Sequence, residues 1–344
     1  MKIFLLFLTS LLFLLTASHA KDYTKNRDTQ LFIDALINES NIKRAYLEGL
    51  FSSVKRSDKA LRKFLPRKNI ERTPEQIAAL KKMYPKYGAW DRYSRLKISN
   101  KRAEQGVRFI KKNQKIFDKV EKEFFVPKEY IAAIIGIETV YGRNVGKYPV
   151  FDTLTTLSFE KNRRNKFFKK QLKKFIYLSQ KEKFNPKNVY GSYAGAIGLG
   201  QFMPSNYEAY GVDFNEDGRI TLQHPADAIA SIANYLRKNR WQKGEPVATR
   251  VRYAGTRFKS YKTGYRTAYD QDKLEGISLR EAWNYRGKVR LIKLNKKSYD
   301  ELWYGSKNFF VLTRYNHSAY YAMSVHILAQ KIKKLNEKSS KGTL

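Results

Sequence analysis

Residues 126–142 read V-P-K-E-Y-I-A-A-I-I-G-I-E-T-V-Y-G, and this stretch limits the fold more than any other. Pro127 suits the first helical turn and Gly142 suits a C-terminal stop, so the spacing predicts a helix of about four turns. Ile131, Ile134 and Ile135 form its apolar stripe, which requires a core to cover it. Glu138 follows those three residues at helical spacing and so projects from the same stripe. A carboxyl carried into such surroundings has its pKa raised, and a Glu kept protonated near neutrality can donate its proton to a leaving oxygen. A buried Glu paired with an Arg would show the same spacing, so periodicity leaves both readings open.

The start of the chain reads as an export signal. Lys2 precedes an apolar run over residues 3–15, and Ala17-Ser18-His19-Ala20 puts small residues at the cleavage positions. The run is short of the about 20 residues that a membrane span needs. The chain has no cysteine, so neither a lipid-bearing Cys nor a disulfide is available. The expectation is a signal peptide over residues 1–20 and a soluble periplasmic protein. The 68 Lys and Arg against 31 Asp and Glu give a formal charge of +37. Such a charge favours a polyanionic partner: nucleic acid, an anionic membrane face or a carboxylate-rich wall polymer. Export argues against the first. The Lys are spread along the chain instead of clustered in one arm, a pattern that an AT-rich genome would also produce.

Apart from one segment, the pattern is helical. Residues 26–65 carry apolar residues at helical spacing, and Thr73-Pro74-Glu75-Gln76 is a capping box opening a helix through about Met83. Further helices are predicted over residues 100–124, 167–180, 225–239 and 318–335. Between them, residues 191–204 form a glycine-rich stretch without the Gly-Lys-Ser/Thr of a phosphate loop. So many glycines imply close approach of backbone to a ligand or a neighbouring element. From residue 244 to about 302 the pattern changes: Val247, Thr249, Val251 and Tyr253 alternate with Ala248, Arg250 and Arg252, and 289–294 is a second strand-like run. The fold class read from this is mainly α (α+β). Its parts are an N-terminal helical region over 21–110, a core over 111–241 and 303–336, a small β-rich insert over 242–302 and a frayed tail over 337–344.

Among chemistries, His224, His317 and His326 lack metal-ligand spacing, and there is neither a G-x-S-x-G elbow nor a Cys nucleophile. Carboxylate chemistry remains. The segments G-I-E-T-V-Y-G-R-N-V-G-K (136–147), F-D-T-L-T-T-L-S-F (151–159), G-S-Y-A-G-A-I-G-L-G-Q-F-M-P-S (191–205), D-F-N-E-D-G-R-I (213–220) and R-Y-N-H-S-A-Y-Y-A-M (314–323) together resemble the lytic murein transglycosylases of the B type. They occur in family order between about residues 93 and 323, while residues 21–90 resemble the family only loosely.

The resemblance implies a lysozyme-like core that cleaves the β-1,4 bond between N-acetylmuramic acid and N-acetylglucosamine and closes a 1,6-anhydro ring without adding water. Glu138 stands at the position of the family's single catalytic acid, which serves first as acid and then as base. Ser192, Gln201, Tyr235, Tyr315, Asn316, Tyr321 and Tyr93 match positions lining the sugar cleft, with Ser192 and Asn316 nearest the reacting acetamido group. Arg163 and Arg164 match a pair that receives peptide carboxylates. On the residues alone, Tyr235 and Tyr321 would be core, Ser192 and Gln201 turn residues, and the Arg pair part of a solvated charge run.

Asp152 is the rival carboxylate, which would make the chain a muramidase that adds water; its place in F-D-T-L fits a helix cap better. Asp213, Asn215 and Asp217, followed by Gly218, resemble the start of a calcium loop. Position 12 of that loop is His224 instead of Glu, and the family resemblance implies closure by the later Asp227, with the Arg219 carbonyl as a further ligand over 213–227. The alternative is an Asx-rich turn before a helix. No cofactor is required for the chemistry, and calcium would be structural. The expected partner is the peptidoglycan glycan strand, with wall-synthesis or secretion complexes as further partners. Nucleic acid is not expected, and the chain is read as a monomer. A non-catalytic wall-binding protein, with Glu138 structural, is the remaining alternative.

Overall fold

The computed structural model describes residues 20–66, 71–83, 85, 87–255 and 257–341. The expected signal peptide, apart from its last residue Ala20, lies outside the described residues. In chain order the helices are α1 (Arg27–Glu39), α2 (Arg44–Phe51), α3 (Asp58–Phe64), α4 (Pro74–Met83), α5 (Ala89–Ser94), α6 (Asn100–Lys112) and α7 (Gln114–Phe124). They continue as α8 (Lys128–Thr139), α9 (Val150–Phe159), α10 (Asn165–Lys181), α11 (Pro204–Tyr210), α12 (Pro225–Lys238), α13 (Lys307–Tyr315) and α14 (Ala319–Lys341). Strands β1 (Ala20–Lys21) and β2 (Val54–Lys55) pair, as do β3 (Tyr148–Pro149) and β4 (Tyr190–Gly191). Four more, β5 (Ala248–Tyr253), β6 (Ile277–Leu279), β7 (Arg290–Asn295) and β8 (Asp300–Gly305), form an antiparallel sheet in the order β6-β5-β8-β7.

The apolar stretch becomes α8, and it is covered on all sides: Ile131, Ala132, Ala133, Ile134 and Ile135 are fully buried. Helices α6, α7, α12 and α14 pack around it. Each of those Ile side chains contributes about 1.5–3 kcal/mol through burial, which is why this helix sits at the centre of the main core. The helix ends at Thr139, short of Gly142. Val140 and Tyr141 take φ of 53° and 59°, and Gly142 follows at 88°. The cause is the Tyr141 side chain, which wedges between α6 and α8. A Cβ added at Gly106 or Gly136 would lie 2.6 or 2.5 Å from its hydroxyl oxygen. That hydroxyl donates to Arg102 O at 3.0 Å.

Two other boundaries shift. The helix expected over 100–124 is broken at Asn113 (φ −115°), whose side chain donates to Phe109 O at 2.9 Å. Helix α14 runs to Lys341, so the tail expected to fray from 337 is helical through that residue.

Nor does the expected N-terminal helical region pack as one unit. Tyr23, Ile33, Leu36, Leu47, Phe51 and Phe64 form a second core with Phe151 and Leu154 of α9 and Phe168, Leu172 and Phe175 of α10. Trp90, Ala103, Val107 and Ile110 instead join the main core with α8 and α14. The boundary between them lies before α5, not at 110.

The insert is β-rich, as the alternation implied, and β8 carries it past the expected limit at 302. Along this sheet alternate residues serve different cores. Leu291, Leu302 and Tyr304 face the insert's own cluster, while Ile292, Leu294 and Trp303 face the main one. The period-2 geometry of a strand thus docks the insert onto the helical core.

Candidate active site

Glu138 lies in the last turn of α8, where three successive left-handed residues swing the chain away from the helix. Thr139 fixes that end: its hydroxyl oxygen is 3.1 Å from Ile135 O and 3.0 Å from Leu199 O, and it accepts the Gly142 N–H at 3.1 Å. Through Leu199 the helix end is tied to the glycine-rich stretch. There the glycines meet the sequence expectation of close backbone approach. A Cβ at Gly146 would lie 2.1 Å from Gly191 O, and one at Gly191 would lie 2.1 Å from Ala196 O.

These loops enclose a cleft of about 550 Å³ lined by Glu138, Arg143, Asn144, Ser192, Tyr193 and Gln201, among others. Glu138 is the one acid among the described residues that line it. It is half-buried, and Tyr321, 2% exposed, donates to its Oε1 at 2.7 Å. Burial pushes the carboxyl pKa up; the Tyr321 hydroxyl and the Lys97 ammonium pull it down without offsetting the rise. Burial, reinforced by the Glu138 charge, holds the Tyr321 and Tyr315 hydroxyls far above the usual phenol range, so both act as donors.

Around the acid, the residues implied by the family fall into three groups. Ser192 and Gln201 share the cleft with Glu138. Ser192 Oγ accepts from Ala194 N–H (3.3 Å) and Ala196 N–H (3.0 Å), and Gln201 donates to Val145 O at 3.0 Å. Both are turn residues by these bonds, yet the Ser192 proton stays free for a ligand. Tyr321 touches the acid, and Tyr315 stacks behind it at 6.1 Å and 10° while donating to Gly200 O at 2.5 Å. Asn316, exposed at the end of α13, follows directly. Tyr93 is half-buried, and the Glu138 charge contributes to raising its pKa after burial, which places it near the acid.

Tyr235 and the Arg pair stand further off. Tyr235, 6% exposed, donates to Arg314 O at 2.7 Å and packs on Tyr210, Phe202 and Tyr315, so its structural role is a support beneath Tyr315. Arg163 and Arg164 are exposed. The Arg163 N–H bonds Phe64 O at 3.2 Å, and the Phe64 ring lies 6.0 Å from that of Tyr193 on the cleft wall. Sequence reasoning singled out neither Lys97 nor Tyr193. Lys97 lies far upstream, over the Tyr93 ring at 5.1 Å, and no local pattern marks it. Asn144 and Lys147 also line the cleft and stood inside the quoted 136–147 segment.

The Transglycosylase SLT domain model matches residues 24–330. The chain belongs to the lytic transglycosylases. This lytic transglycosylase is 36% identical over 313 residues to membrane-bound lytic murein transglycosylase B of Escherichia coli (strain K12), covering 90% of this chain and 84% of the relative. Its fold is similar to that of E. coli Slt35, solved in complex with bulgecin A and in complex with calcium, with a TM-score of 0.82, 34% identity and coverage of 93% and 97% of the two chains. SltB1 of Pseudomonas aeruginosa gives a TM-score of 0.80 at 34% identity, covering 92% of this chain and all of SltB1. The enzyme thus acts on peptidoglycan, with the lysozyme-like, mainly helical fold of its family. Among its described residues no helix is long and apolar enough to cross a membrane.

In this transglycosylase Asp152 is neither a second cleft carboxylate nor a helix cap. Helix α9 starts before it, and its carboxylate receives the Lys187 ammonium at 3.2 Å and the Lys55 N–H at 3.1 Å. It is buried and fully engaged in holding β2 to α9.

The 213–227 loop gathers oxygen donors suited to a hard cation. Asp213 accepts from Asp217 N–H (3.2 Å) and Gly218 N–H (2.9 Å), and Asp217 accepts from Arg219 N–H (2.9 Å), so both carboxylates and Asn215 share one turn. Asp227 is fully buried and accepts from Phe214 N–H (3.0 Å) and Thr221 N–H (2.7 Å). It braces both limbs of the loop, each oxygen keeping one lone pair. Among the described residues no group of three His, Cys, Asp or Glu side chains converges as a metal site. The donor chemistry fits calcium, with Asp227 as the ligand that would have to be shared between brace and ion.

Proposed function

We propose that Glu138 is the single acid and base of a lytic cleavage of the bond between N-acetylmuramic acid and N-acetylglucosamine. The observation that carries this is the lone, half-buried carboxyl of raised pKa opening on the cleft. Protonated, Glu138 donates to the glycosidic oxygen as the C1–O bond breaks. The substrate's N-acetyl oxygen supports the positive charge at C1. The Glu138 carboxylate then takes the C6 hydroxyl proton, and the C6 oxygen bonds C1 to close the 1,6-anhydro ring. Tyr321 holds Oε1 throughout and stabilises the anion between the two steps. No water enters, so no second carboxylate is needed, in contrast to most glycosidases.

Ser192, Asn316 and Gln201 orient the sugar and its acetamido group, Tyr93 and Tyr315 frame it, and Arg163 and Arg164 face stem-peptide carboxylates. Residues 1–20 serve as a signal peptide, and the enzyme works as a periplasmic monomer alongside wall-synthesis or secretion assemblies. Calcium held by Asp213, Asn215, Asp217, the Arg219 carbonyl and Asp227 is structural. The complexes of Slt35 with bulgecin A and with calcium support the cleft and the loop readings respectively.

Mass analysis of soluble products tests the chemistry. Purified peptidoglycan digested by the wild type yields anhydro-muropeptides, one water lighter than hydrolysis products, and Glu138→Gln yields none. Reducing-end products from the wild type would instead demand an activated water and overturn the single-acid mechanism.

A further inference from the structure

A second hollow, of about 530 Å³, takes in Tyr141 and Gly142 of the turn that follows Glu138 and shares Arg143 with the cleft. Its lining includes Gln105, Arg108 and Lys112 of α6, Tyr141, and Arg143, which also lines the catalytic cleft. We propose that this hollow binds carboxylates of the peptide attached to the glycan strand, so that the enzyme grips peptide-bearing strands through a site separate from Arg163 and Arg164. The proposal rests on the peptidoglycan-cleaving reading of the Glu138 cleft.

Three observations carry it. First, Arg108, Lys112 and Arg143 are exposed, and among the described residues none of the three enters an ion pair or side-chain hydrogen bond. Unpaired cations are common on a chain with 68 Lys and Arg against 31 acids, but these three share one concavity with no acid among its lining residues. Second, Gln105, only 8% exposed, lines the hollow, so an amide donor stands beside the three cations. A carboxylate in the hollow would accept from that amide N–H as well as from the cations. Third, the strained run Val140, Tyr141 and Gly142 leads directly into Arg143, and its Tyr141, anchored to Arg102 O, and Gly142 line the hollow. Strain of this kind persists where the position of the chain matters, and here it presents Arg143 to both sides.

The ligand follows from the chemistry. Neutral sugar rings would not use three guanidinium and ammonium groups, whereas a stem peptide carries several carboxylates, which Arg receives in bidentate fashion. Shared lining by Arg143 makes the hollow reachable from a strand seated over Glu138.

The test compares the wild type with the double variant Arg108→Ala/Lys112→Ala on two substrates: purified glycan strands with their peptides, and the same strands stripped by an amidase. Both side chains are exposed on α6, so folding is preserved, and the charge-conserving Arg108→Lys/Lys112→Arg provides the control. The expected result is a kcat/KM about tenfold lower for the alanine variant on peptide-bearing strands, within about twofold of wild type on stripped strands, and restored in the control. An equal fall on both substrates, or no fall on either, overturns the proposal. Absence of anhydro products from the wild type on both substrates would fault the Glu138 reading instead. In that case calorimetric binding of soluble peptide-bearing strands to wild type and variant decides the hollow by itself, with unchanged affinity counting against it.

Discussion

In its proposed role Glu138 combines two demands that oppose each other at the scale of one residue: a proton donor must be held out of water, and a carboxyl held out of water destabilises the fold when ionised. Burial holds its pKa in the folded chain above the ordinary glutamate value. Well below the ordinary carboxyl value the group is neutral in both states and costs nothing; between that value and the higher folded one the unfolded chain ionises while the native one keeps its proton, so native stability falls. Glu138→Gln removes that term while keeping the Tyr321 contact. Calorimetry should show the variant melting roughly 1–3 °C above wild type at pH 7–8, with the gap closing by pH 4. A gap independent of pH would mean that the carboxyl is not raised. Glu138 was readable because a charged residue on an apolar helical stripe is visible in one dimension. Tyr321 and Lys97 were not readable as its neighbours, since α14 and the α5–α6 turn reach it only by tertiary packing.

Elements were legible where their signals are local. The Thr73 capping box forms as written, with Gln76 N–H on Thr73 Oγ1 at 3.3 Å and Thr73 N–H on Gln76 Oε1 at 3.2 Å. The break at Asn113 and the early end of α8 were hidden, because each is decided by what packs across it. The 213–227 loop is an element of mixed legibility: its oxygen donors are in sequence, but Asp227 shows its bracing role only in three dimensions. The two roles separate experimentally. Calcium at about 100 times its Kd should stabilise the native state by about 2.7 kcal/mol, read as a higher Tm that chelator reverses. Asp217→Asn, at an exposed residue of the proposed calcium loop, should abolish that shift and leave the calcium-free Tm near wild type. Asp227→Asn should lower the calcium-free Tm as well, since it weakens the acceptor for two backbone N–H groups. Equal behaviour of the two variants would deny the brace.

Over the whole molecule, the sequence suggested an N-terminal region of open purpose, and the packing supplies one. Residues 20–64 cover α9 and α10, and their polar backbone is stitched to the same helices: Lys55 N–H to Asp152, Ser57 N–H to Thr156 Oγ1 at 3.0 Å, and Arg163 N–H to Phe64 O at 3.2 Å. Long-range closure of this kind leaves no local trace, and residues 21–90 resemble the family only loosely, so the sequence did not show what they cover. Removal of residues 21–66 would bare Phe151, Leu154, Phe168 and Phe175 together, an apolar face far beyond what a soluble monomer leaves exposed. It would also strip Asp152 of the Lys55 N–H, leaving Lys187 as its remaining partner. The shortened chain should therefore lose its cooperative melt, bind a hydrophobic dye and lose lytic activity, although Glu138 and its cleft partners are all retained. A single sharp transition at the wild-type Tm would show instead that these residues are an appendage. Loss of cooperativity would establish that the core formed by α9 and α10 exists only because the N-terminal segment folds back onto it.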